Sequence, residues 1–259
     1  MSAQLLTDKR GLVLGVSSRD GVGFRAAEEL RRQGAEVAVS SRSRGSPFLS
    51  ELVEQGYGPV ELDAFDEASV AGALQQVGER FGRLDFLVHT LVHVPPGSLE
   101  RPLTELSARE LGDAMEVGVR SLLVAARYAR PWLERSSSPR IVALLSGGAD
   151  FAMPSYHVVG LVKSALAAAI RYLAAELGPA GILCNAVNFS ILETEAARRV
   201  IGAERTAQTR AHLAKRAMTR APLAYEDVTR AVAFLASPLC SNLTGEALLV
   251  DGGFSKSYF

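Results

Sequence analysis

Cysteine is scarce in this sequence of 259 residues, which contains only Cys184 and Cys240, far apart along the chain. Two widely separated cysteines do not make a disulfide framework, and such usage is typical of a protein in a reducing compartment such as the cytoplasm. Cys184 falls inside an apolar run, so we expect it to be a small core residue.

The sequence also lacks an excess of charge of either sign. It has 28 Lys and Arg against 28 Asp and Glu, a formal net charge of +0 and a pI of about 6.9. This balance favours neither nucleic acid nor a membrane as the main partner. The first residues, MSAQLLTDKRG, contain no long apolar segment, so we expect no secretory signal. We also expect no membrane span, because no apolar run approaches the required length.

Hydrophobic residues make up 48% of the chain, which is enough for one large core. Short apolar runs alternate with helical patterns. Predicted strands cover residues 11–16, 36–40, 60–64, 84–88, 140–145 and 181–187, and residues 245–253 form a last strand and turn. Predicted helices cover 24–33, 66–81, 107–133 and 154–177. This alternation predicts an α/β fold, a doubly wound parallel sheet of the Rossmann type, as a single domain over residues 1–259.

A glycine-rich turn follows the first predicted strand. Its glycines are spaced Gly15-x5-Gly21-x-Gly23, and a helix follows at once. Strand, glycine turn and helix form the context in which a dinucleotide pyrophosphate binds at a helix N-terminus. The spacing differs from the common G-x-G-x-x-G, and a plain strand–helix connection is the alternative.

The second predicted strand ends without a carboxylate, at the point where a dinucleotide fold meets the adenosine ribose. Ser41, Arg42 and Arg44 stand there instead. A guanidinium group matches a 2′-phosphate, so this pattern favours NADP(H) over NAD(H). A solvated Arg/Ser loop is the alternative.

Tyr156 and Lys163 lie seven residues apart in the predicted helix 154–177, and therefore two turns apart on nearly the same face. A phenol can donate a hydrogen bond or a proton to a substrate oxygen, while an ammonium group can hold a ribose. The alternative is an exposed lysine and an interfacial tyrosine on an ordinary helix.

Seven segments, in this order, carry a family resemblance: GVSSRDGVG, the exit at Asp63, LDFLVHT, RIVALLS, SYHVVGLVKSAL, GILCNAV and TGEALLVDGG. Over nearly its whole length the chain resembles the short-chain dehydrogenases/reductases. The usual Tyr-x3-Lys is replaced by Tyr156-x6-Lys163, with Val159 at the usual tyrosine position. Gly118 stands where the usual active-site asparagine would be. These departures, the five-residue gap after Gly15 and the stretch VHTLVHVP resemble the divergent enoyl-acyl-carrier-protein reductases.

The resemblance implies the site residues. Tyr156 would hydrogen-bond a thioester carbonyl, with Lys163 on the nicotinamide ribose. Ser146 stands where many such reductases have a second tyrosine, and either replaces its hydrogen bond or only caps a turn. The cofactor would contact Gly15, Ser18, Gly21, Val22, Gly23, Arg42, Asp63, Ala64, Thr90, Leu91, Lys163, Ile191 and Thr194. Within this set, Asp63 would accept from the adenine amino group, and Ile191 and Thr194 would hold the carboxamide.

The implied activity is NADPH-dependent reduction of an enoyl thioester, linked to acyl carrier protein or coenzyme A, in fatty-acid or specialised acyl metabolism. The alternatives are a carbonyl reductase with a relocated acid and a catalytically silent nucleotide-binding scaffold. The resemblance also implies a homotetramer and substrate-covering helices over about 192–223. That segment is rich in arginine, which is typical of a solvated helix pair or of a basic rim for an acidic carrier. We expect no metal site, and no role in the chemistry for His89 or His93.

Overall fold

In the computed structural model, which describes residues 4–42 and 47–258, seven strands form one parallel sheet. They are β1 (Arg10–Leu14), β2 (Glu36–Ser41), β3 (Val60–Glu61), β4 (Phe86–His89), β5 (Arg140–Ser146), β6 (Leu183–Phe189) and β7 (Ala247–Val250). Their order is β3-β2-β1-β4-β5-β6-β7, and all neighbours are parallel. The predicted Rossmann-type fold is confirmed.

Helices cover both faces of this sheet. They are α1 (Val22–Arg32), α2 (Pro47–Glu54), α3 (Glu67–Phe81), α4 (Ala108–Met115), α5 (Ser121–Leu133), α6 (His157–Leu177), α7 (Glu195–Ile201), α8 (Ala203–Arg216) and α9 (Tyr225–Ala236). Alternate residues of β5 are buried on opposite faces of the sheet. Ile141 packs with α3, α5 and α6, whereas Val142 packs with α1 and α9. The two-residue period of a strand buried on both faces explains the continuous apolar runs of the sequence.

The sheet order reverses direction between β1 and β4. Residues Gly11 and Leu14 of β1 pair with Phe86 and His89 of β4, so the carboxyl ends of both strands lie at one edge. In doubly wound sheets a ligand binds outside these ends at the reversal point. The fold therefore places the glycine turn and residues 89–91 side by side.

The predicted helix 107–133 is interrupted in its middle. Ser107 caps α4, and a π-helical turn, Glu116–Arg120, separates α4 from α5. Gly118 lies in this turn, and a Cβ added there would lie 2.2 Å from Val162 Cγ1 of α6. Glycine at 118 therefore permits a close approach of two helices that any larger side chain would block.

The stretch His157–Ala180, which contains α6, is long and apolar enough to cross a membrane by length and composition, with a mean hydropathy of 1.6. The expectation that no apolar run reaches such a length is wrong. The core helix of a soluble protein passes the same test, and one side of α6 packs against the sheet through Val158, Val162, Leu166 and Ile170.

Candidate active site

Tyr156 does not lie inside α6 as predicted but immediately before it. The helix begins at His157, and the backbone of Tyr156 has φ −136° and ψ 9°. Its carbonyl accepts the first helical hydrogen bond, from Gly160 N at 2.8 Å. The preceding Ser155 is in the left-handed region, with φ 57°, so the chain turns sharply before the helix starts. The tyrosine is therefore held by a turn and not by helical periodicity.

The predicted catalytic groups nevertheless come together at the end of β5. Tyr156 Oη lies 3.1 Å from Ser146 Oγ. Lys163 Nζ donates to the carbonyl of Leu144 at 2.7 Å, two residues before Ser146 on the same strand. The Tyr156 ring rests on Gly148, where an added Cβ would lie 2.7 Å from the ring Cδ1.

Burial sets the protonation of both side chains. It raises the pKa of Tyr156, an effect that the hydrogen bond with Ser146 partly offsets. The phenol therefore stays protonated at neutral pH and can donate a hydrogen bond. Burial also lowers the pKa of Lys163 from 10.5 to about 8. An ammonium carries three N–H donors and Leu144 uses one, so others remain for a ligand.

His89 is a buried, neutral side chain near Lys163. Burial, followed by the nearby charge of Lys163, lowers the pKa of His89 to about 3. Ser121 Oγ donates to Val117 O at 2.6 Å, so the 2.8 Å contact between Ser121 Oγ and His89 Nε2 is a hydrogen bond donated by the histidine. A histidine that remains neutral does not supply a proton at physiological pH.

The glycine turn has the backbone geometry of a phosphate cradle. Gly15 has φ 91°, and its N–H donates to Ser40 Oγ at 3.2 Å. A Cβ at Gly23 would lie 2.7 Å from Thr90 Oγ1, so only glycine fits there. Gly21 caps α1 without a side-chain hydrogen bond, which leaves the first N–H groups of this helix for an anion.

The other predicted cofactor residues border the same edge of the sheet. Leu91 packs over Gly15, where an added Cβ would lie 2.9 Å from Leu91 Cδ2. Asp63 already uses one carboxylate oxygen to accept from Phe65 N at 3.0 Å. Ala64 and Ile191 are buried. Thr194 Oγ1 caps α7 by accepting from Ala197 N at 2.9 Å, so its hydroxyl hydrogen remains available to a ligand.

A set of contacts that sequence reasoning missed ties α7 to the glycine turn. Arg198 of α7 forms an ion pair with Asp20. Tyr225 Oη lies 2.6 Å from Asp20 O and 3.1 Å from Glu193 O, where it can donate to either carbonyl. Arg205 of α8 donates to Ser155 Oγ at 3.1 Å, beside Tyr156. Arg198 and Asp20 are 178 positions apart in the sequence. Each is an ordinary charged residue in its own segment, so no sequence pattern predicts their contact.

Several arginines of residues 192–223 already form ion pairs within the chain and are therefore not free to bind an acidic carrier. Besides Arg198, Arg199 pairs with Glu195 and Arg210 with Glu193. Because these charges are neutralised locally, the interpretation as a solvated helix pair fits this part of the segment better.

The chain is similar to known proteins in sequence and in fold over nearly its whole length. The chain is 31% identical over 255 residues to the enoyl-acyl-carrier-protein reductase (NADH) FabI of Synechocystis sp., which covers 96% of this chain and 97% of that protein. It is 31% identical over 254 residues to the enzyme of the same name from Haemophilus influenzae, covering 96% and 95%. A solved structure of the enoyl-acyl-carrier-protein reductase of Anaplasma phagocytophilum with NAD has a TM-score of 0.90 and 26% identity, covering 100% of this chain and 98% of that one.

The names of these relatives overturn the predicted preference for NADP(H), because they specify NADH. Arg42 is exposed at the end of β2, and Arg44 lies outside the described residues. A missing carboxylate removes one feature that favours NAD(H), but it does not create a phosphate site. A long, exposed arginine side chain is free to point into solvent, so an arginine at this position does not by itself indicate a 2′-phosphate.

The resemblance found in the sequence is confirmed at the level of the family. A family model described as enoyl-(acyl carrier protein) reductase matches residues 15–255, from the first glycine of the turn to a point just beyond β7. The matched range contains the Tyr156, Ser146 and Lys163 group and the glycine cradle. The chain therefore belongs to the enoyl-(acyl carrier protein) reductase family.

Proposed function

We propose that this protein uses NADH to reduce the 2,3-double bond of an enoyl thioester in fatty-acid synthesis. The observation that carries the proposal is the contact between Tyr156 and Ser146 at the end of β5, with Lys163 buried beside the same strand. The relatives named above reduce enoyl groups on acyl carrier protein, so we take this carrier as the partner. We further propose a cytoplasmic location and one domain over residues 1–259.

The described residues fit a dinucleotide. The N–H groups at the start of α1 would bind the pyrophosphate, and glycine at 15 and 23 leaves room for it. Lys163 would hold the nicotinamide ribose, and Ile191 and Thr194 would border the carboxamide. Ser18, Val22, Ala64, Thr90 and Leu91 would complete the walls, with Asp63 and Arg42 at the adenosine end. When bound, NADH supplies hydride for the β-carbon of the substrate.

The protein's part in the reaction is to stabilise the charge that appears on the thioester oxygen. As the β-carbon is reduced, the substrate becomes an enolate, and Tyr156 would donate a hydrogen bond to that oxygen. Its raised pKa keeps the proton on the phenol until the oxygen becomes basic. Ser146, 3.1 Å from the phenol oxygen, would orient it. The positive charge of Lys163 favours the same build-up of negative charge.

The deciding experiment compares NADH oxidation with crotonyl and acetoacetyl thioesters. Crotonyl thioester offers a carbon–carbon double bond, whereas acetoacetyl thioester offers a ketone. We expect turnover with the crotonyl substrate and little with the other. Faster turnover of the acetoacetyl thioester would establish the carbonyl reductase, and no turnover of either with tight NADH binding would establish the silent scaffold.

A further inference from the structure

A cavity lies at the opposite edge of the sheet from the candidate active site, where the strands begin. Its volume is about 420 Å³, and it is lined by Lys9, Ser137, Ser138, Arg140, Gly181, Leu183, Pro238 and Ser241. Arg140 and Leu183 are the first residues of β5 and β6, whereas Ser146 ends β5 at the other edge. The cavity is therefore separated from the candidate active site by the length of the central strands.

Arg140 is the unusual member of this lining. Arg140 is only 4% exposed. Among the residues that the structure describes, no acidic side chain forms an ion pair with it. Its Nη1 donates to the carbonyl of Pro139 at 3.0 Å, and its Nε has no hydrogen-bond partner. A buried guanidinium is normally paired with a carboxylate or another anion, because its desolvation is costly.

The neighbouring carboxylate does not neutralise it. Asp85 is buried, and its oxygens already accept from the backbone N–H of Arg10, from Ser136 Oγ at 2.6 Å and from Arg83 Nε at 3.1 Å. Lys9 Nζ lies 3.5 Å from the same carboxylate. Counting Lys9, Arg83 and Arg140 against Asp85 leaves this region with an excess of positive charge.

Hydroxyl groups complete the cavity. Lys9 Nζ donates to Ser138 Oγ at 2.9 Å, which directs that hydroxyl hydrogen away from the ammonium. Ser137 and Ser241 also line the wall, and the lining residues given above include no acid. Two cations, several hydroxyls and a buried nitrogen without a partner are complementary to a tetrahedral oxyanion.

The geometry points to a phosphate-binding site at the amino edge of the sheet, with Arg140 and Lys9 as its cationic ligands. The bound group is a phosphate, held either as the free ion or as the end of a small phosphomonoester. This site shares no residue with the candidate active site.

Inorganic phosphate tests the site directly. The full-length protein is titrated with sodium phosphate against sodium chloride at matched ionic strength, and the melting temperature and the heat of binding are measured. We expect saturable stabilisation by phosphate. Glycerol 3-phosphate in a parallel titration distinguishes the sources: tighter binding than phosphate identifies a phosphomonoester, and weaker binding identifies the free ion.

Two variants and one control locate the binding. Arg140→Met removes the unpaired charge, so it should abolish the phosphate effect and raise the melting temperature in phosphate-free buffer. Lys9→Met, which leaves Arg83 on Asp85, should weaken phosphate binding by about tenfold or more. Arg109→Gln, at an exposed residue of α4 outside the cavity lining, should bind phosphate as the unchanged protein does.

Other results would overturn the site. Phosphate that stabilises Arg140→Met and Lys9→Met as well as the unchanged protein binds elsewhere. An absence of saturation would mean that the guanidinium is satisfied by carbonyl groups alone. If Arg140→Met fails to fold, Lys9→Met decides the question, since undiminished phosphate binding by that variant would refute the proposal.

Discussion

At the scale of single residues, the hydroxyl of Tyr156 carries the main mechanistic expectation. Tyr156→Phe keeps the ring on Gly148 but removes the donor. If the phenol stabilises an enolate, turnover of an enoyl thioester should fall by about a hundredfold to a thousandfold, or roughly 2.7–4 kcal/mol. NADH affinity should change little. Stopped-flow measurement of hydride transfer, together with NADH titration, checks both parts.

The control for this variant is Tyr128→Phe, because Tyr128 Oη also makes one side-chain hydrogen bond, 3.1 Å to Glu67, but lies on α5 away from the site. It should keep its turnover. Ser146→Ala should cost less than Tyr156→Phe if Ser146 only orients the phenol. If Ser146→Ala abolishes turnover while Tyr156→Phe is silent, the proton donor is at residue 146 and the mechanism above is wrong.

Lys163 should give the enzyme an alkaline limit. Its pKa in the folded protein is about 8, so the ammonium is present below that pH and is lost as the pH rises through it. We expect kcat/KM for NADH to fall above about pH 8. The unfolded chain keeps this proton up to about pH 10.5, so the lysine itself makes the free energy of unfolding rise over this window. Loss of activity there is therefore not unfolding driven by Lys163.

Steady-state measurements from about pH 6 to about pH 10 test this limit. Lys163→Arg keeps its charge throughout, so the fall above pH 8 should disappear. Lys163→Met should have a higher KM for NADH at neutral pH and no such fall. An unchanged alkaline fall in both variants would assign it to another group.

At the scale of secondary-structure elements, the sequence predicts what depends on neighbours along the chain. The strands, the glycine turn and α3, capped by Asp66, follow from local patterns, and their bounds agree within a few residues. The start of α6 could not be predicted, because it depends on a left-handed Ser155 and on the packing of Tyr156 against Gly148. The close packing of Gly118 likewise involves Val162, which belongs to another helix.

Sequence patterns also miss contacts between distant elements. The Arg198–Asp20 ion pair is such a contact, and a variant can test whether it holds α7 against the glycine turn. Arg198→Gln should free α7 from the glycine turn. Since both side chains are about one-third exposed, the expected loss is within about 1 kcal/mol, or at most about fivefold in KM for the enoyl thioester. Amide hydrogen exchange over residues 195–201 should be faster.

A matched control lies one residue away. Arg199 pairs with Glu195 inside α7, so Arg199→Gln removes a charge from the same helix without breaking its contact with the turn. Hydrogen exchange that increases equally in both variants would show that the Asp20 contact does not hold α7.

At the scale of the whole molecule, both α6 and α5 have large apolar side chains exposed. Leu161 is 44% exposed and Tyr172 78% exposed on α6, while Leu123 on α5 is 42% exposed. Ala165 and Ala168 lie between the two α6 residues at helical spacing, so backbones from another copy can approach closely. Exposed apolar surface of this kind is typical of a contact between protein chains. We therefore propose the homotetramer that the sequence resemblance implies, with α5 and α6 at the contacts.

Light scattering at micromolar concentration measures the assembly. The unchanged protein should have the mass of four chains. Burying each exposed leucine side chain in a contact contributes about 1.5–3 kcal/mol to the assembly. Leu161→Glu places a charge in the contact, so the mass should fall to that of a smaller assembly. Val53→Glu, on α2 at a residue that is 60% exposed, should leave the mass unchanged. If the unchanged protein is a monomer, the proposed assembly is wrong. If Leu161→Glu remains a tetramer, the contact does not involve Leu161.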